Sequence, residues 1–269
     1  MNKYLGIIGA AGVGKDTTAD AVIAMGDSWS KLSFAAPLKE VVSKVFNIPL
    51  AALHSLEEKE KAREPIIIDQ FLLPLEVEIN RLIEPKFGCS SNYKSLKLQP
   101  RNLIANSYRQ LLQYVGTDYV RSVRDSFWVD YVRDYQIPLH KNVVLPDTRF
   151  ENEIKVVHDL GGLVFAVERG NVEFTNDHTS ARDLRSLADR IVYFPTDGFS
   201  HIKRWAQLFV HNLPQWKMYE SNRMRAFLNA YKNDLPLDDC AAILGVGCNV
   251  TLHQLAIDYG VTCVRNNNY

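Results

Sequence analysis

The chain has few cysteines, no net charge and no long hydrophobic run. Its four cysteines (Cys89, Cys240, Cys248 and Cys263) form no C-x-x-C pair, which argues against a zinc site or a disulfide framework. Basic and acidic residues number 31 each, so no overall positive field attracts nucleic acid or an anionic membrane. No apolar run approaches the ~20 residues that span a bilayer. These absences indicate a protein of a reducing cytoplasm with no membrane partner.

The most informative segment that is present runs from Gly9 to Thr18 and reads GAAGVGKDTT. A short apolar strand, Tyr4 to Ile8, is predicted before it, and a helix is predicted to begin near Lys15. Gly9, Gly12 and Gly14 lack a Cβ where the backbone must turn tightly and bring its N–H groups to an anion. Lys15 adds a compact positive charge for terminal phosphates. This is the pattern of a phosphate-binding P-loop, and it argues against a signal peptide.

The segment departs from the usual P-loop pattern after its lysine. The common form places a Ser or Thr directly after the lysine, where its hydroxyl contacts magnesium. Here Asp16 holds that position, and Thr17 and Thr18 follow it. That shift resembles nucleoside monophosphate kinases. The plainer alternative is an ordinary glycine-rich turn between a strand and a helix.

The rest of the chain alternates between strand-like and helix-like segments. Strands are predicted at Trp29 to Phe34, Asn142 to Leu145, Leu163 to Val167 and Arg190 to Phe194. With helices between them, this order predicts an α/β fold with a parallel sheet covered by helices on both faces. The 269 residues allow one domain or two. We expect a kinase-like domain at 1–210, an insertion at about 40–135, a lid at about 170–187 and a helical tail at 211–269.

Residues 86–135 carry expectations of their own. Lys86 to Pro100 is rich in Ser, Asn, Lys and Gly and is predicted to be an exposed loop. An apolar stripe from Leu103 to Val115 predicts one helix that Gly116 closes. Thr117 or Asp118 would then cap the next helix.

Pro146-Asp147-Thr148-Arg149 directly follows a predicted strand. Ligands of open α/β sheets lie beyond the carboxyl ends of the strands, so Asp147 and Arg149 should face the same crevice as the glycine-rich loop. Asp147 could hold hydrated magnesium, and the planar fork of Arg149 matches phosphate oxygens. The alternative is a turn whose aspartate caps the next helix and whose arginine pairs with Glu151 or Glu153.

A third candidate element runs from Arg109 to Asp118 and continues at Phe127-Trp128-Val129. Arg109 lies off the apolar stripe and can face a ligand. Trp128 could stack on a base and crowd a ribose, or it could pack in the core as most tryptophans at helical spacing do.

Six motifs in order give the chain a specific resemblance. They are GxxGxGKDTT, F-A-x-P-L-K, R-x-L-L-Q-x-x-G-T-D, F-W-V, P-D-T-R-x-x-N-E and a late Asp-Gly after a strand. Together they resemble the bacteriophage deoxynucleoside monophosphate kinases over residues 3–210. The resemblance implies transfer of a phosphoryl group from ATP, with Mg²⁺, to a deoxynucleoside monophosphate in the cytoplasm of an infected bacterium.

The resemblance also implies roles for individual residues. Lys15, Asp16, Asp147 and Arg149 would be catalytic, with Asp147 holding the metal through water. Another set would bind ATP: Gly12, Gly14, Lys15, Asp16, Thr17, Thr18, Arg182 and Asp197. A third set would bind the acceptor: Leu38, Lys39, Arg63, Arg109, Gly116, Thr117, Trp128, Asp147, Arg149 and Glu153. Arg169, Arg182 and Arg185 are candidates to close over the phosphates from the lid. For Arg63 the alternative is a surface salt bridge within Glu57 to Glu64.

The tail has the rhythm of a helix-turn-helix at Leu237 to Val246 and Thr251 to Val261. It carries equal numbers of basic and acidic residues, and its second helix has no Lys or Arg. Phosphate contacts supply much of DNA affinity, so a neutral tail argues against DNA binding. We expect a packing or oligomerisation appendage, of which a homodimer is one form. Two rival functions stay open: a kinase of another phosphorylated metabolite, and a DNA-binding replication ATPase.

Overall fold

The computed structural model describes residues 2–26, 28–84, 95–170, 172, 183–246 and 251–261. The strands are β1 (Lys3–Ile8), β2 (Trp29–Lys31), β3 (Ile66–Ile67), β4 (Ile104–Ala105), β5 (Asn142–Leu145), β6 (Leu163–Arg169) and β7 (Arg190–Phe194). The α-helices are α1 (Lys15–Ala24), α2 (Ala36–Phe46), α3 (Leu50–His54), α4 (Leu56–Glu60), α5 (Leu72–Leu82), α6 (Tyr108–Gln113), α7 (Phe127–Tyr131), α8 (Glu151–Asp159), α9 (Phe199–Val210), α10 (Ser221–Lys232), α11 (Leu237–Leu244) and α12 (Leu252–Asp258).

The chain forms two compact units. One contains Met1–Leu32 and His140–Tyr269 and is called the sheet unit below. The other contains Ser33–Leu139 and is called the helical unit. The division of the chain by function remains a prediction.

The sheet unit is built on five parallel strands in the order β2-β5-β1-β6-β7. Leu5 and Ile7 of β1 point to one face and share a core with Val22 of α1 and Trp205 of α9. Gly6, between them, points to the other face, where an added Cβ would lie 3.3 Å from Val157 of α8. This alternation along β1 places helices on both faces of the sheet, which confirms the predicted α/β fold class.

The tail belongs to the sheet unit and packs in its core. Phe227 and Cys240 are fully buried in the same core as β1, and Ala256 of α12 joins them. The Tyr259 hydroxyl donates to the Tyr193 carbonyl of β7 at 2.6 Å. Residue 210 is therefore not a boundary between the two compact units.

The helical unit has its own core of buried residues contributed by α2, α5, α6 and α7. Within it, β3 and β4 form a short antiparallel pair, with Ile66 opposite Ala105. The prediction that Lys86 to Pro100 is an exposed loop is wrong at Leu96 and Leu98. These two side chains are 3% and 5% exposed and pack in this core. Residues 85–94 lie outside the described part.

The helix at Gly116 also differs from expectation. Gly116 does not close a helix, because α6 continues without a break into a π-helical stretch, Tyr114–Arg121. Thr117 and Asp118 lie within that stretch, so neither caps the next helix. A π-helical turn does not follow the 3.6-residue spacing of an α-helix, so the apolar periodicity of the sequence does not predict it. Such turns are common at functional sites.

Candidate active site

The glycine-rich loop joins β1 to α1 at the carboxyl edge of the parallel sheet. Gly12 and Gly14 have φ values of 75° and 104°, a region in which residues with a Cβ are strained. Gly14 is the residue before the first turn of α1, and it has no side chain to cap the helix. No side chain caps the first turn of α1, and helix N-termini of this kind bind anions in other proteins.

Lys15 lies across this loop and is held by it. Its Nζ donates to the carbonyl oxygens of Gly9 and Ala10, each at 2.7 Å. Burial and the neighbouring positive charge of Arg149 lower the pKa of Lys15 to about 8, against the opposing effects of Asp16 and Asp147. The other three predicted catalytic residues, Asp16, Asp147 and Arg149, are therefore each close enough to act electrostatically on Lys15.

Arg149 is presented by a turn that two buried side chains hold in shape. The Thr148 hydroxyl donates to the Leu145 carbonyl at 3.0 Å. The Glu153 carboxylate, which is 2% exposed, accepts from the Arg149 and Phe150 backbone N–H groups at 2.6 and 3.2 Å. Glu153 thus holds the backbone from which the exposed Arg149 side chain extends. The predicted contact of the Glu153 side chain with an acceptor stays a prediction.

Arg169, at the end of β6, lies against the glycine-rich loop. Its Nη2 donates to the Gly12 carbonyl at 2.9 Å. Its Nε is buried and has no hydrogen-bond partner among the described residues. A buried donor without a partner is costly, so Arg169 Nε would gain from an acceptor group brought by a ligand. The sequence placed Arg169 in a lid; the structure places it at the sheet edge.

Two further residues predicted to contact ATP phosphates, one from the ATP set and one from the lid, bond to other groups of the protein. Thr18 is fully buried, and its hydroxyl donates back to the Gly14 carbonyl at 2.9 Å. Arg185, a lid candidate, is paired with Asp183 and Glu168. Thr17 is half-buried and Asp197 is exposed. Arg182 lies outside the described residues, as does most of the predicted lid.

Sequence reasoning missed Lys31, the last residue of β2. Its Nζ lies 2.8 Å from Asp16 Oδ1 and 3.0 Å from Asp20 Oδ1. The only available signal was its place at the end of a strand, at the same sheet edge as the loop.

The helical unit holds the remaining predicted residues. Arg63 is paired with Glu58 and lies over the Tyr108 ring, 4.3 Å from its centroid. Arg109 is paired with Glu60. Both arginines therefore lie where α4 meets α6. The salt bridge offered as the alternative for Arg63 is observed.

Leu38, Gly116 and Trp128 meet inside the helical unit. Trp128 is 2% exposed, and its Nε1 donates to the Gly116 carbonyl at 3.1 Å. An added Cβ on Gly116 would lie 2.6 Å from Leu38 Cδ2. Trp128 therefore packs in the core and supports the π-helical stretch, rather than presenting its face to solvent. Thr117 is half-buried in that stretch. Lys39, the other predicted acceptor contact of the helical unit, has its Nζ 3.4 Å from His54 Nδ1.

The acidic groups at the loop suit a lightly coordinated cation. Among the described residues, no three His, Cys, Asp or Glu side chains gather as a metal cage. Mg²⁺ needs no such cage, because it keeps several waters and binds through one or two carboxylates and substrate phosphates. Asp147, within electrostatic reach of Lys15, fits that mode.

No helix in the described part of the chain is both long and apolar enough to cross a bilayer.

Comparison with known proteins identifies the chain's relatives. A family model described as deoxynucleotide monophosphate kinase matches residues 76–199. A protein of Acanthamoeba polyphaga mimivirus, named "Putative deoxynucleotide monophosphate kinase", is 26% identical over 204 residues, which cover 68% of this chain and 82% of that protein. Both matches confirm the resemblance to deoxynucleoside monophosphate kinases.

Proposed function

We propose, from the premise that this chain is a phosphotransferase of the deoxynucleotide monophosphate kinase type, that it transfers the γ-phosphoryl group of ATP to a deoxynucleoside 5′-monophosphate. An acceptor phosphate oxygen forms a bond to Pγ, and the bond from Pγ to the β–γ bridging oxygen breaks. The electron pair of that bond stays on ADP, and the second product is the deoxynucleoside diphosphate. The observation that carries the proposal is the gathering of Asp16, Asp147 and Arg149 around Lys15 at the N-terminus of α1.

The acceptor needs no general base, because its phosphate oxygen is already a nucleophile. Positioning and charge neutralisation therefore do the catalytic work. Gly12, Gly14 and the first N–H groups of α1 hold the phosphates of ATP. Lys15 leaves the Gly9 and Ala10 carbonyls and binds the transferring group. Arg149 binds the acceptor phosphate or the migrating phosphoryl group from its fixed turn.

Asp147 would hold Mg²⁺ through water. The ion supplies charge neutralisation on the ATP phosphates when bound. Asp147 would accept from water molecules of that ion, and Arg169, which lies beside Gly12, would donate its Nε to a phosphate oxygen.

Arg63, Arg109 and Thr117, all within the helical unit, are the residues of that unit that we propose as acceptor contacts. Arg63 and Arg109 lie together where α4 meets α6 and would exchange part of their pairing with Glu58 and Glu60 for the acceptor. The π-helical stretch offers Thr117 to the deoxynucleoside. The motif order resembles that of phage enzymes, so we place the activity in supply of deoxynucleotides during phage replication in host cytoplasm.

A coupled ADP-release assay on the purified full chain tests the proposal. It is run with ATP and Mg²⁺ against each of the four dNMPs and their ribonucleotides, with Lys15→Met as the inactive control. We expect turnover with at least one dNMP and a loss of about 10²–10³-fold in kcat for Lys15→Met. No turnover with any dNMP contradicts the proposal. Turnover stimulated by DNA without a dNMP would favour a replication ATPase.

A further inference from the structure

Asp16 presents an electrostatic problem for the proposed ATP site. It lies in the first turn of α1, directly after Lys15, where most P-loops place a neutral hydroxyl. A carboxylate there suits the positive end of the helix in the free protein. It also cancels part of the positive potential that would hold the ATP phosphates.

Lys31 lies where it can offset that charge. It ends β2, and its Nζ bridges Asp16 Oδ1 at 2.8 Å and Asp20 Oδ1 at 3.0 Å. Asp16 and Asp20 are one helical turn apart, so one ammonium group reaches both. Burial works to lower the pKa of Lys31, but the hydrogen bonds and charges of Asp16 and Asp20 outweigh it and leave the pKa raised.

Stability alone does not explain this bridge. The Asp16 and Asp20 side chains are 78% and 63% exposed. Ion pairs at such exposure contribute little to stability. Asp16 also acts electrostatically on Lys15, so the charge of Asp16 reaches the glycine-rich loop.

We propose that Lys31 is a positioning residue for the phosphoryl donor: it holds and neutralises the Asp16 carboxylate, so that the glycine-rich loop can accept a triphosphate. This inference rests on the proposed function. Lys31 acts through Asp16 and does not itself contact ATP. Its loss should weaken ATP binding, leave acceptor affinity unchanged and matter only while residue 16 is an acid.

A double-mutant cycle tests this coupling. The variants are Lys31→Met, Asp16→Asn and the two combined, with Lys31→Arg as the conservative replacement. Lys155→Met is the matched control, because Lys155 also pairs with an exposed aspartate, Asp159 at 2.7 Å. Affinity for MgATP is measured by titration calorimetry without acceptor, and KM for each substrate is measured in the coupled assay.

We expect Lys31→Met to weaken MgATP binding about tenfold, which corresponds to one unit charge acting at short range. The dNMP KM should stay within twofold, and Lys31→Arg and Lys155→Met should bind like the parent. In the Asp16→Asn background, Lys31→Met should change MgATP affinity by less than twofold.

Three results would overturn the inference. Lys31→Met could have the same effect in both backgrounds, it could have none, or it could tighten MgATP binding by releasing Asp16 to the metal. Lys31→Gln serves as a second test variant if Lys31→Met does not fold, as judged by circular dichroism. A parent enzyme that phosphorylates no dNMP contradicts the proposed function instead, so the two failures are distinguishable.

Discussion

The Lys15 ammonium group is largely buried, and burial disfavours its charged form. Its pKa of about 8 in the free protein lies below the ordinary lysine value because of burial and Arg149. Above pH 8 the free enzyme loses this proton, whereas bound triphosphate favours the charged form. ATP affinity should therefore fall as the pH rises through 8, and ATP binding near pH 8 should take up a proton.

Calorimetry at pH 8 in two buffers of different ionisation enthalpy measures that proton uptake. Lys15→Met removes the titrating group and should abolish the uptake. Equal uptake in the parent and in Lys15→Met would assign the titration to another group.

Glu153 is the residue that fixes the turn under Arg149. Glu153→Ala removes the acceptor of two backbone N–H groups at the start of α8. We expect a loss of about 2 kcal/mol in the free energy of unfolding, measured by urea denaturation, together with a raised dNMP KM. Glu151→Ala is the control, because Glu151 is an exposed acid in the same helical turn. A raised KM in the control alone would contradict the assignment.

The π-helical stretch contains a glycine, Gly116, that packs directly against a side chain of α2. Gly116→Ala would bring a Cβ within 2.6 Å of Leu38 Cδ2 in a packed core. We expect the free energy of unfolding to fall by about 1–3 kcal/mol and Leu38→Ala to recover part of that loss in the double variant. Thermal unfolding measures both. Gly26→Ala is the control, since its Cβ would meet only ordinary contacts at 3.6 Å and beyond.

The tail helices stabilise the sheet unit from within its core. Phe227 of α10 is fully buried among residues of the sheet. We expect Phe227→Ala to lower the free energy of unfolding by about 3–5 kcal/mol, measured by urea denaturation. Ile257→Ala, at a side chain that is 53% exposed on α12, should change it by less than about 0.5 kcal/mol. Equal effects would mean that the tail does not share this core.

At the scale of the whole molecule, charge balance decides which partners the surface attracts. The net charge is zero, and the described α12 has no Lys or Arg. Non-specific DNA binding depends on phosphate neutralisation by clustered basic residues. We therefore expect no binding of a fluorescent duplex at 50 mM salt and micromolar protein, measured by polarisation. Salt-sensitive binding would revive the replication ATPase.

Much of the sheet unit could be predicted from local sequence. The apolar runs at Asn142–Leu145 and Arg190–Phe194 are strands with those bounds in the structure. The glycine-rich loop and the start of α1 at Lys15 are also confirmed. Each depends on neighbours in the chain: apolar runs suit buried strands, and glycines adopt positive φ without strain.

Other features depended on contacts between distant segments. Lys31 meets Asp16 only because β2 and β1 end at the same sheet edge. Leu38, Gly116 and Trp128 meet only when the helical unit closes its core. The tail joined the core of the sheet unit although its sequence resembles a separate module. Local patterns thus determined the strands, the loop and its chemistry. Tertiary packing decided which side chains share a site, because burial and charge pairing depend on distances in space rather than along the chain.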